Sequence, residues 1–515
     1  MRYFYKTIFL LTIFLSFNSS FCNQNITRTP DYENLSYFLN VLDISGDLEN
    51  IFIATSSGIL KLDRFTDELT TLLSFRKWMY DIPFKNLFPD PIHINNIYFT
   101  GRDFLYHYDI FNDTIEYCKI LDFSGKSVSL IGVTEESLFV KIDTLVYSSL
   151  KYGLKTENWV LSRNDKKINW KKINKDVKDY PQLLPHTIIY GNREYNFTTV
   201  YEDVNNYYVG TDGIGLLKID RTSLKRKHFI YGTGSLDIRS ISLDSLNNLW
   251  IAGLNCINIT KYDINRKIFT YYKLSDIPEI PDNQINVVSS SKKYVLFLTQ
   301  LGGIFYYDIS KDRFFNIPNS ITTIFFRAKP VRDGLFIVSG DRGIGFVDIQ
   351  EKKFYQKFDN LQSVIDLEVY RDTIYFVSQN KLYKTHLNDS SFYTVQFDFP
   401  TFFVYQFYKD DSTEILLDNA YVHIKRGKEK YVSYPNNLFG EFYDLAKKDS
   451  FIFAAATDGF GVFSENQKKW EIYNKKRYPL PSNSFYNIVL SDQYLFITTR
   501  SSLLKVKYDI IIQEK

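Results

Sequence analysis

The chain has 515 residues, of which 44% are apolar and 23% charged, so it is long enough for more than one domain and too apolar for wholesale disorder. Its 62 basic and 59 acidic side chains give a formal charge of +3, which excludes a broad electrostatic field for nucleic acid or anionic lipid. Tyrosine (40) and phenylalanine (44) are abundant, and both favour the half-buried pleated surface of a β-sheet.

The first 22 residues have the pattern of a secretory signal peptide. Arg2 and Lys6 form a basic start, an apolar run follows over 7–17, and the small residue Cys22 ends the segment. A run of about eleven residues is too short to cross a bilayer of about 30 Å as a helix. We therefore predict cleavage after Cys22 and export to the periplasm or cell surface. A lipid anchor at Cys22 is disfavoured, since Phe21 stands where lipoprotein signals carry a small residue.

A motif of about forty residues recurs along the rest of the chain. Each copy has a turn, an apolar strand with an aromatic residue near its start, a small polar hairpin, a second alternating strand and an aspartate. The clearest copies are 201–220, 243–263 and 491–509. The principal apolar positions are Phe52, Tyr98, Phe139, Tyr208, Trp250, Phe297, Phe336, Tyr375, Ile415, Ile452 and Phe496. Most successive positions are about 37 to 47 residues apart, which is the length of a four-stranded propeller blade.

Two further strands flank this pair in each repeat, as at 238–243 and 268–272. We therefore predict an all-β fold in which residues 23–515 form a β-propeller region of about eleven to twelve four-stranded blades. Because a closed propeller typically has four to eight blades, the blades should form two propellers, either one after the other or one inserted into the other. The segment after the signal peptide should pair with the last repeat and close a ring, which removes unpaired strand edges.

Glycine in the hairpins and the recurring aromatic residues have structural explanations. Gly58, Gly302 and Gly459 lie between second and third strands, where tight hairpins need a positive φ. Tyr208 and Trp250 recur once per repeat within an apolar strand. We predict that such residues pack between neighbouring blades and do not form a stacking surface for sugars or bases.

The repeat breaks once, between Phe139 and Tyr208, which are 69 residues apart. The stretch at about 155–195 is therefore an insertion, a degenerate blade, or a crossover between two rings. Long loops in compact domains usually carry function or mark a boundary, so this stretch is the functional region that the sequence favours.

The three clearest copies resemble the two-component regulator propeller repeat, and the resemblance covers most of residues 36–510. It implies an exported, sensor-like β-propeller. In that family the repeats form the sensor part of hybrid two-component systems, and some of these sensors detect oligosaccharides. Similar propellers occur in an accessory protein of the type IX secretion system. Since no membrane-spanning segment is predicted after the repeats, signalling across a membrane would need a partner.

No motif identifies a reactive site. The six histidines, among them His107 and His386 in predicted third strands, lack the spacing of metal ligands. Cys118 and Cys256 lie in different repeats and are expected to be buried thiols. We predict no catalytic, cofactor-binding or metal-binding residues, and no cofactor.

Three functions follow as hypotheses. The first is a non-catalytic binding or sensing protein that presents loops to an oligosaccharide, a peptide or a protein partner, with no nucleic-acid partner. The second is a scaffold or accessory protein of a secretion or envelope assembly, which should expose a large apolar patch. The third is a carbohydrate-active hydrolase or lyase, which should show convergent carboxylates with shifted pKa values in a pocket.

Overall fold

The computed structural model describes residues 32–74, 84–101, 104–119, 128–151, 154, 158–162, 168–172, 174, 176–190, 193–235, 237–277, 284–319, 323–359, 361–401, 403–436, 440–475 and 480–508. The predicted signal peptide lies outside these residues. Eleven antiparallel sheets contain nearly all of the regular structure, nine with four strands and two with five. The prediction of an all-β propeller fold is confirmed.

The described residues divide into two compact units. Unit 1 runs from Phe38 to Tyr231, and unit 2 comprises residues 32–37 together with those from Gly232 onward. Unit 1 contains blades 1 to 4, and unit 2 contains blades 5 to 11, numbered along the chain. In sequence, unit 1 is nested within unit 2, because residues 32–37 belong to unit 2.

The strands of a blade are labelled a to d from the innermost outward. In unit 1 they are Val41–Gly46, Asn50–Thr55, Gly58–Asp63 and Leu69–Ser74 in blade 1; Phe84–Pro89, Asn96–Gly101, Phe104–Asp109 and Thr114–Lys119 in blade 2; Leu130–Val133, Ser137–Ile142, Leu145–Leu150 and Val160–Leu161 in blade 3; and Arg193–Glu202, Asn206–Thr211, Leu216–Asp220 and Arg226–Phe229 in blade 4. A fifth strand pairs with strand a of blade 3 (Asn169–Trp170) and of blade 4 (Thr187–Tyr190). Two 3-10 helices lie between these blades, at Val177–Asp179 and Pro181–Leu183.

In unit 2 the strands are Asp237–Leu243, Asn248–Leu254, Asn258–Asp263 and Ile268–Lys273 in blade 5; Ile285–Ser290, Tyr294–Thr299, Ile304–Asp308 and Arg313–Ile317 in blade 6; Phe325–Arg332, Leu335–Gly340, Gly343–Asp348 and Lys353–Phe358 in blade 7; Val364–Tyr370, Thr373–Ser378, Lys381–His386 and Tyr393–Thr394 in blade 8; Val404–Lys409, Thr413–Asp418, Tyr421–Arg426 and Val432–Pro435 in blade 9; Phe442–Lys448, Phe451–Ala456, Gly459–Ser464 and Lys469–Tyr473 in blade 10; and Asn487–Leu490, Tyr494–Thr498, Leu503–Lys507 and Tyr32–Asn34 in blade 11. A 3-10 helix at Leu274–Asp276 follows blade 5.

Unit 2 is a closed ring of seven blades. Strand a of each blade contacts strand a of the next, and strand a of blade 11 contacts that of blade 5. The ring is completed by Tyr32–Asn34, which pairs antiparallel with strand c of blade 11 so that Tyr32 faces Val506 and Asn34 faces Leu504. An N-terminal strand thus closes the ring, as the edge-strand argument predicts.

The recurring aromatic positions form the packing between blades. All eleven lie in b strands, and all except the half-buried Tyr375 are buried. Trp250 of blade 5 meets Phe297 of blade 6 edge to face, with ring centroids 5.7 Å apart. Tyr375 of blade 8 packs against Phe407 of blade 9 at 4.8 Å. Fully burying one such side chain contributes about 1.5–3 kcal/mol, so these contacts account for much of the stability of the rings.

The aspartate of the repeat closes the turn between strands c and d. In blade 5, Oδ1 of Asp263 accepts the N–H groups of Asn265 (3.0 Å) and Arg266 (2.9 Å). Six blades have this arrangement, at Asp63, Asp109, Asp220, Asp263, Asp308 and Asp348. These bonds favour the charged carboxylate, and the N–H and hydroxyl of Ser223 lower the pKa of Asp220.

The break in the repeat belongs to unit 1. The described part of 155–195 supplies strand d of blade 3, the two extra strands and the two 3-10 helices given above. The prediction that this stretch carries the function remains a prediction. Cys118 and Cys256 are both buried thiols, as expected.

Gly343 begins strand c of blade 7 with a φ of +88°, and a Cβ there would lie 1.8 Å from the carbonyl oxygen of Phe358. We expect Gly343→Ala to lower the free energy of unfolding by about 3 kcal/mol through backbone strain and this clash. Gly427, with a φ of +54° and open space around its Cα, is the matched control, and Gly427→Ala should cost about 1 kcal/mol. Denaturant unfolding of both variants checks the prediction, and equal losses would contradict it.

Candidate functional site

One residue is bulged in strand a of the blades of unit 2. In blade 5 the pairing with strand b moves from Ile238 directly to Ser240, and blades 6 to 10 show the same one-residue shift. A β-bulge leaves the extra residue outside the ladder and re-aims its side chain. The bulged residues are Arg239, Asn286, Phe326, Ile365, Tyr405 and Tyr443. Tyr486 holds the same place at the start of blade 11, where its N–H donates to Thr498 O (2.9 Å).

These seven residues, named here the bulge ring, line one cavity of about 580 Å³ at an end of the channel of unit 2. We call this cavity the mouth. Residues at the ends of b strands complete its wall: Leu254, Gln300, Asn380 and Arg500. A cavity of this size lies within the range of about 300–1,000 Å³ that is usual for small-molecule sites.

The mouth has an aromatic side. Blades 7 to 11 contribute only apolar or aromatic residues to the bulge ring, whereas blades 5 and 6 contribute Arg239 and Asn286. Phe326 and Ile365 are 36% and 38% exposed, although both are large and apolar. Tyr443 and Tyr486 lie against each other with ring centroids 4.7 Å apart. An arc of apolar and aromatic faces therefore opens into the cavity.

The polar side is built around Asp237. This carboxylate accepts a hydrogen bond from Arg239 Nη2 (2.8 Å), and its Oδ1 lies 3.7 Å from Arg500 Nη1. The guanidinium of Arg500 also lies 3.9 Å from the ring centre of Tyr486, close enough for a cation–π contact. Two guanidinium groups are thus held in fixed positions beside the aromatic arc.

Two tyrosines of the mouth, Tyr405 and Tyr443, stay protonated at neutral pH. Burial raises the pKa of Tyr405, and the carboxylate of Glu441 raises it further. Burial also raises the pKa of Tyr443, whose hydroxyl donates to Glu441 Oε2 at 3.2 Å. Both phenols therefore act as hydrogen-bond donors at the edge of the cavity.

Below the mouth, the a strands enclose a narrower channel of about 380 Å³. Its charged groups are paired: Lys329 Nζ lies 3.1 Å from Glu368 Oε2, and Arg327 Nη2 lies 4.0 Å from Asp444 Oδ1. The negative charge of Glu368 raises the pKa of Lys329, which keeps the lysine charged. Opposite charges thus neutralise each other within the channel.

Asp366, also in the channel, has a buried carboxyl group with a raised pKa. Burial raises its pKa to about 6, against the opposing effect of the guanidinium of Arg327. Its Oδ2 accepts the N–H of Phe407 in the next blade at 2.8 Å. Asp444 makes the same 2.8 Å bond to Ile488 N–H, and Asp43 of unit 1 makes it to Leu87 N–H. The carboxylate of Asp366 therefore joins blades 8 and 9, and its raised pKa is a consequence of this buried position.

The pKa of Asp366 predicts a pH-dependent effect of Asp366→Asn. The folded protein binds this proton more tightly than the unfolded chain, for which 3.8 is the ordinary pKa, so ionisation destabilises the fold as the pH rises from about 4 to 6. Asparagine cannot ionise and can still accept the N–H of Phe407. Relative to the wild type, the variant should gain about 3 kcal/mol of unfolding free energy between pH 4 and 7.

Denaturant unfolding of both proteins across this pH range tests the prediction, and Asp220→Asn is a control of opposite sign. Because the pKa of Asp220 is lowered in the fold, its carboxylate stabilises the protein above the unfolded pKa and this contribution is lost as the pH falls. Asp220→Asn should therefore cost more at pH 7 than at pH 3. A stability difference for Asp366→Asn that does not change with pH would contradict the assignment.

The histidines that the sequence analysis considered take part in hydrogen bonds within blades. His107 is buried with Nε2 2.8 Å from Asn96 Oδ1, and His386 contacts Thr373 at 3.3 Å. Within the described ranges, no cluster of three or more histidine, cysteine, aspartate or glutamate side chains could hold a metal ion. None of the helices found in these ranges has both the length and the hydropathy needed to cross a bilayer.

Sequence analysis did not find the bulge ring. Its members range from arginine to phenylalanine, and tyrosine recurs only in blades 9 to 11, so no single residue type marks this position. The one signal in the sequence is that the bulge-ring residue directly follows an apolar residue at the start of the blade, as in Phe442-Tyr443-Asp444 and Phe485-Tyr486-Asn487.

No protein-family model matches the chain, and no curated protein matches it. Solved structures with a similar fold include the extracellular domain of BT4673 from B. thetaiotaomicron (13% identity, TM-score 0.42, covering 91% of this chain and 64% of that one). PorZ, a surface component of the type-IX secretion system of Porphyromonas gingivalis, has 12% identity and a TM-score of 0.47 over 91% of this chain and 74% of its own. The extracellular domain of BT3049, a hybrid two-component system protein of B. thetaiotaomicron, has 13% identity and a TM-score of 0.36 over 92% and 82%.

These are the kinds of protein that the repeat resemblance indicated. The chain spans 64% of the length of the first of them. At identities of 12–13% and TM-scores below 0.5, the function has to be argued from the site itself.

Proposed function

We propose that this is an exported, non-catalytic binding protein that holds its ligand in the mouth of unit 2. The bulge ring is the observation that carries the proposal, because each of the seven blades contributes one re-aimed side chain to the same cavity. A rigid scaffold that gathers side chains from separate elements is the usual design of a binding site. The predicted signal peptide supports export to the periplasm or the cell surface.

An oligosaccharide is the ligand that the mouth fits best. The aromatic arc offers apolar faces to the C–H surface of a sugar ring, and polar side chains around the wall of the mouth offer groups that bind hydroxyls. Those groups are side chains that form hydrogen bonds in fixed planes: Arg239, Asn286, Gln300, Asn380, Glu441 and Arg500. In a small-molecule site, a few well-placed polar groups among apolar walls provide the specificity. A peptide with an aromatic or aliphatic side chain is the alternative for the same cavity.

The carboxylates near the mouth support a non-catalytic function. Glu368 is paired with Lys329, while Asp366 and Asp444 accept N–H groups from the next blade. A glycoside hydrolase needs two carboxyl groups that face each other across the sugar, one to donate and one to accept a proton. Carboxylates that are committed to joining blades are poorly suited to that task.

We expect a soluble oligosaccharide that binds the mouth to raise the melting temperature of the purified protein by mass action, without being cleaved. A thermal-shift screen over an oligosaccharide panel, with the products analysed in the same wells, measures both. Cleavage would favour the hydrolase or lyase alternative instead. No shift across the panel would contradict an oligosaccharide ligand.

Substitution in the aromatic arc tests where the ligand binds. Tyr486→Ala removes a ring that contacts both Tyr443 and Arg500, and we expect it to weaken binding about tenfold. Tyr393→Ala, which removes an exposed ring on the outer strand of blade 8, should leave affinity unchanged. Titration of both variants with the oligosaccharide found in the screen provides the comparison. Equal affinities would place the ligand elsewhere.

A further inference from the structure

The a–b and c–d turns of a blade lie at the same end of the blade, because a backbone hydrogen bond joins them. In blade 1, Arg64 N–H donates to Glu49 O at 2.9 Å, and in blade 4, Arg221 N–H donates to Asn205 O at 2.9 Å. Blade 2 has the same bond from Ile110 N–H, at 2.8 Å. The turns of these three blades therefore form one face of unit 1, which we name the turn face.

Large apolar side chains protrude from the turn face. They include the four most exposed large apolar side chains of the described residues: Leu48 91%, Phe65 81%, Ile94 71%, Phe111 82% and Val204 86%. Contiguous exposed apolar residues on a soluble protein usually mark an interaction site.

Comparison with equivalent turns of unit 2 shows that the fold does not require these residues. The second residue after the turn-closing aspartate donates its N–H to that aspartate in both units. In unit 2 this residue is polar, namely Asn265, Ser310 or Gln350, whereas blades 1 and 2 carry Phe65 and Phe111. The backbone bond is the same, so the phenylalanines serve some purpose other than closing the turn.

The a–b turn of blade 9 shows the same contrast with unit 1, whereas the a–b turn of blade 5 also exposes an apolar residue, Leu246 (62%). Asp47 and Asp203 each open a turn by accepting N–H groups from two and three residues ahead, and the intervening exposed residues are Leu48 and Val204. In blade 9, Asp410 opens the equivalent turn, and the intervening residue is the exposed and charged Asp411. Apolar residues thus replace polar ones at two independent turn positions of unit 1.

The protruding residues belong to adjacent blades. Strand a of blade 1 contacts strand a of blade 4 on one side and strand a of blade 2 on the other. Arg64 connects the turns of blades 1 and 4, since its Nη1 lies 3.0 Å from Asp203 Oδ2. Tyr108 of blade 2 donates to Leu72 O of blade 1 (3.4 Å) and to Asp113 (2.9 Å) in its own c–d turn.

Acidic groups surround the apolar ones. The turns of blades 1, 2 and 4 carry seven carboxylates against three basic side chains: Asp47, Glu49, Asp67, Glu68, Asp90, Asp113 and Asp203 against Arg64, Arg221 and Lys225. Arg64 is committed to Asp203, and Arg221 donates to the carbonyl of that residue at 2.8 Å. Asp67 is also neutralised, by Lys218 and Lys227, and the buried Asp90 by Lys151. Apart from these pairs, Asp47, Glu49 and Glu68 still outnumber Arg221 and Lys225. The potential around the apolar side chains is therefore negative, and it selects a partner of positive charge.

We propose that the turn face of unit 1 docks a protein partner whose contact surface is apolar at its centre and lined with lysine or arginine. This binding surface is distinct from the mouth of unit 2 and does not depend on the function proposed for it. A second copy of this chain or an anionic membrane would bring like charges together, which opposes binding. The apolar side chains supply the contact energy, and the carboxylates supply orientation and on-rate.

The test uses the full chain and three labelled peptides followed by fluorescence anisotropy: an amphipathic helix of lysine and leucine, its glutamate–leucine counterpart, and a scrambled lysine–leucine peptide. We expect the amphipathic lysine–leucine peptide to bind best, and more weakly as salt is raised. Phe65→Gln/Phe111→Gln should weaken this binding about tenfold or more, as expected for apolar anchors. Glu49→Lys/Glu68→Lys should weaken it as well.

A triple variant is the matched control. Phe65→Gln/Phe111→Gln/Gln350→Phe places a phenylalanine at the equivalent turn of unit 2, and it should bind as weakly as the double variant. All variants should have the same melting temperature as the wild type, because the altered side chains are exposed. If the peptide does not bind, if the phenylalanine substitutions leave its binding unchanged, or if the triple variant binds like the wild type, the proposal is wrong.

Two further outcomes would also overturn it by identifying another occupant. One is sedimentation with anionic phospholipid vesicles that is lost in the double variant, which would assign the turn face to a lipid surface. The other is a concentration-dependent dimer in sedimentation velocity that the same substitutions abolish, which would assign it to a second copy.

Discussion

The bulge in strand a is the local constraint on which the ring of unit 2 depends. Because of the shift in register, the residue after the bulge reaches the next blade: Ser240 Oγ accepts Val288 N–H at 2.9 Å, and Asp366 accepts Phe407 N–H at 2.8 Å. The bulged residue itself turns into the mouth. In blades 5, 8 and 10 the bulge thus supplies both a link to the next blade, through the residue that follows it, and a side chain for the site. A regular strand would alternate inward and outward and would supply neither at this position.

The two units present different surfaces. Unit 2 gathers aromatic rings and guanidinium groups into a concave cavity, which suits a small polar ligand. Unit 1 presents apolar side chains on protruding turns amid carboxylates, which suits the flatter surface of a protein. A protein with both surfaces would connect recognition of a ligand with attachment to an assembly, so the binding and scaffold hypotheses are compatible with each other.

The architecture could be predicted because its determinants recur. The b-strand aromatic residues, the hairpin glycines and the turn-closing aspartates each perform one task in many blades, so a single sequence contains many samples of the pattern. The nesting of unit 1 within unit 2 was harder to predict from the sequence, since it depends on the pairing of Tyr32–Asn34 with a strand some 470 residues away. That segment has only three paired residues and no aromatic signature of a blade.

The candidate site could not be predicted in the same way. A bulge is a property of the pairing between two strands, and residues as different as Arg239, Ile365 and Tyr405 occupy it without a common chemical type. The turn face was missed for another reason. Phe65 and Phe111 directly follow the third strands of their repeats, and only the hydrogen bonds of the turn place them in solvent. Sequence reasoning instead favoured 155–195, where the broken period was the visible irregularity.

The closing strand also sets an order of events during folding. Residues 38–231 contain every strand of unit 1, so this unit has all of its pairing partners as soon as that stretch is available. The ring of unit 2 lacks its last partner until Leu503–Lys507 is present, and Tyr32–Asn34 must remain unpaired until then. Contacts between residues so far apart in sequence form late, because closing a long loop costs chain entropy before the contact contributes any stabilisation. We therefore expect blade 11, which brings Tyr486 to the aromatic arc of the mouth, to be completed late in folding.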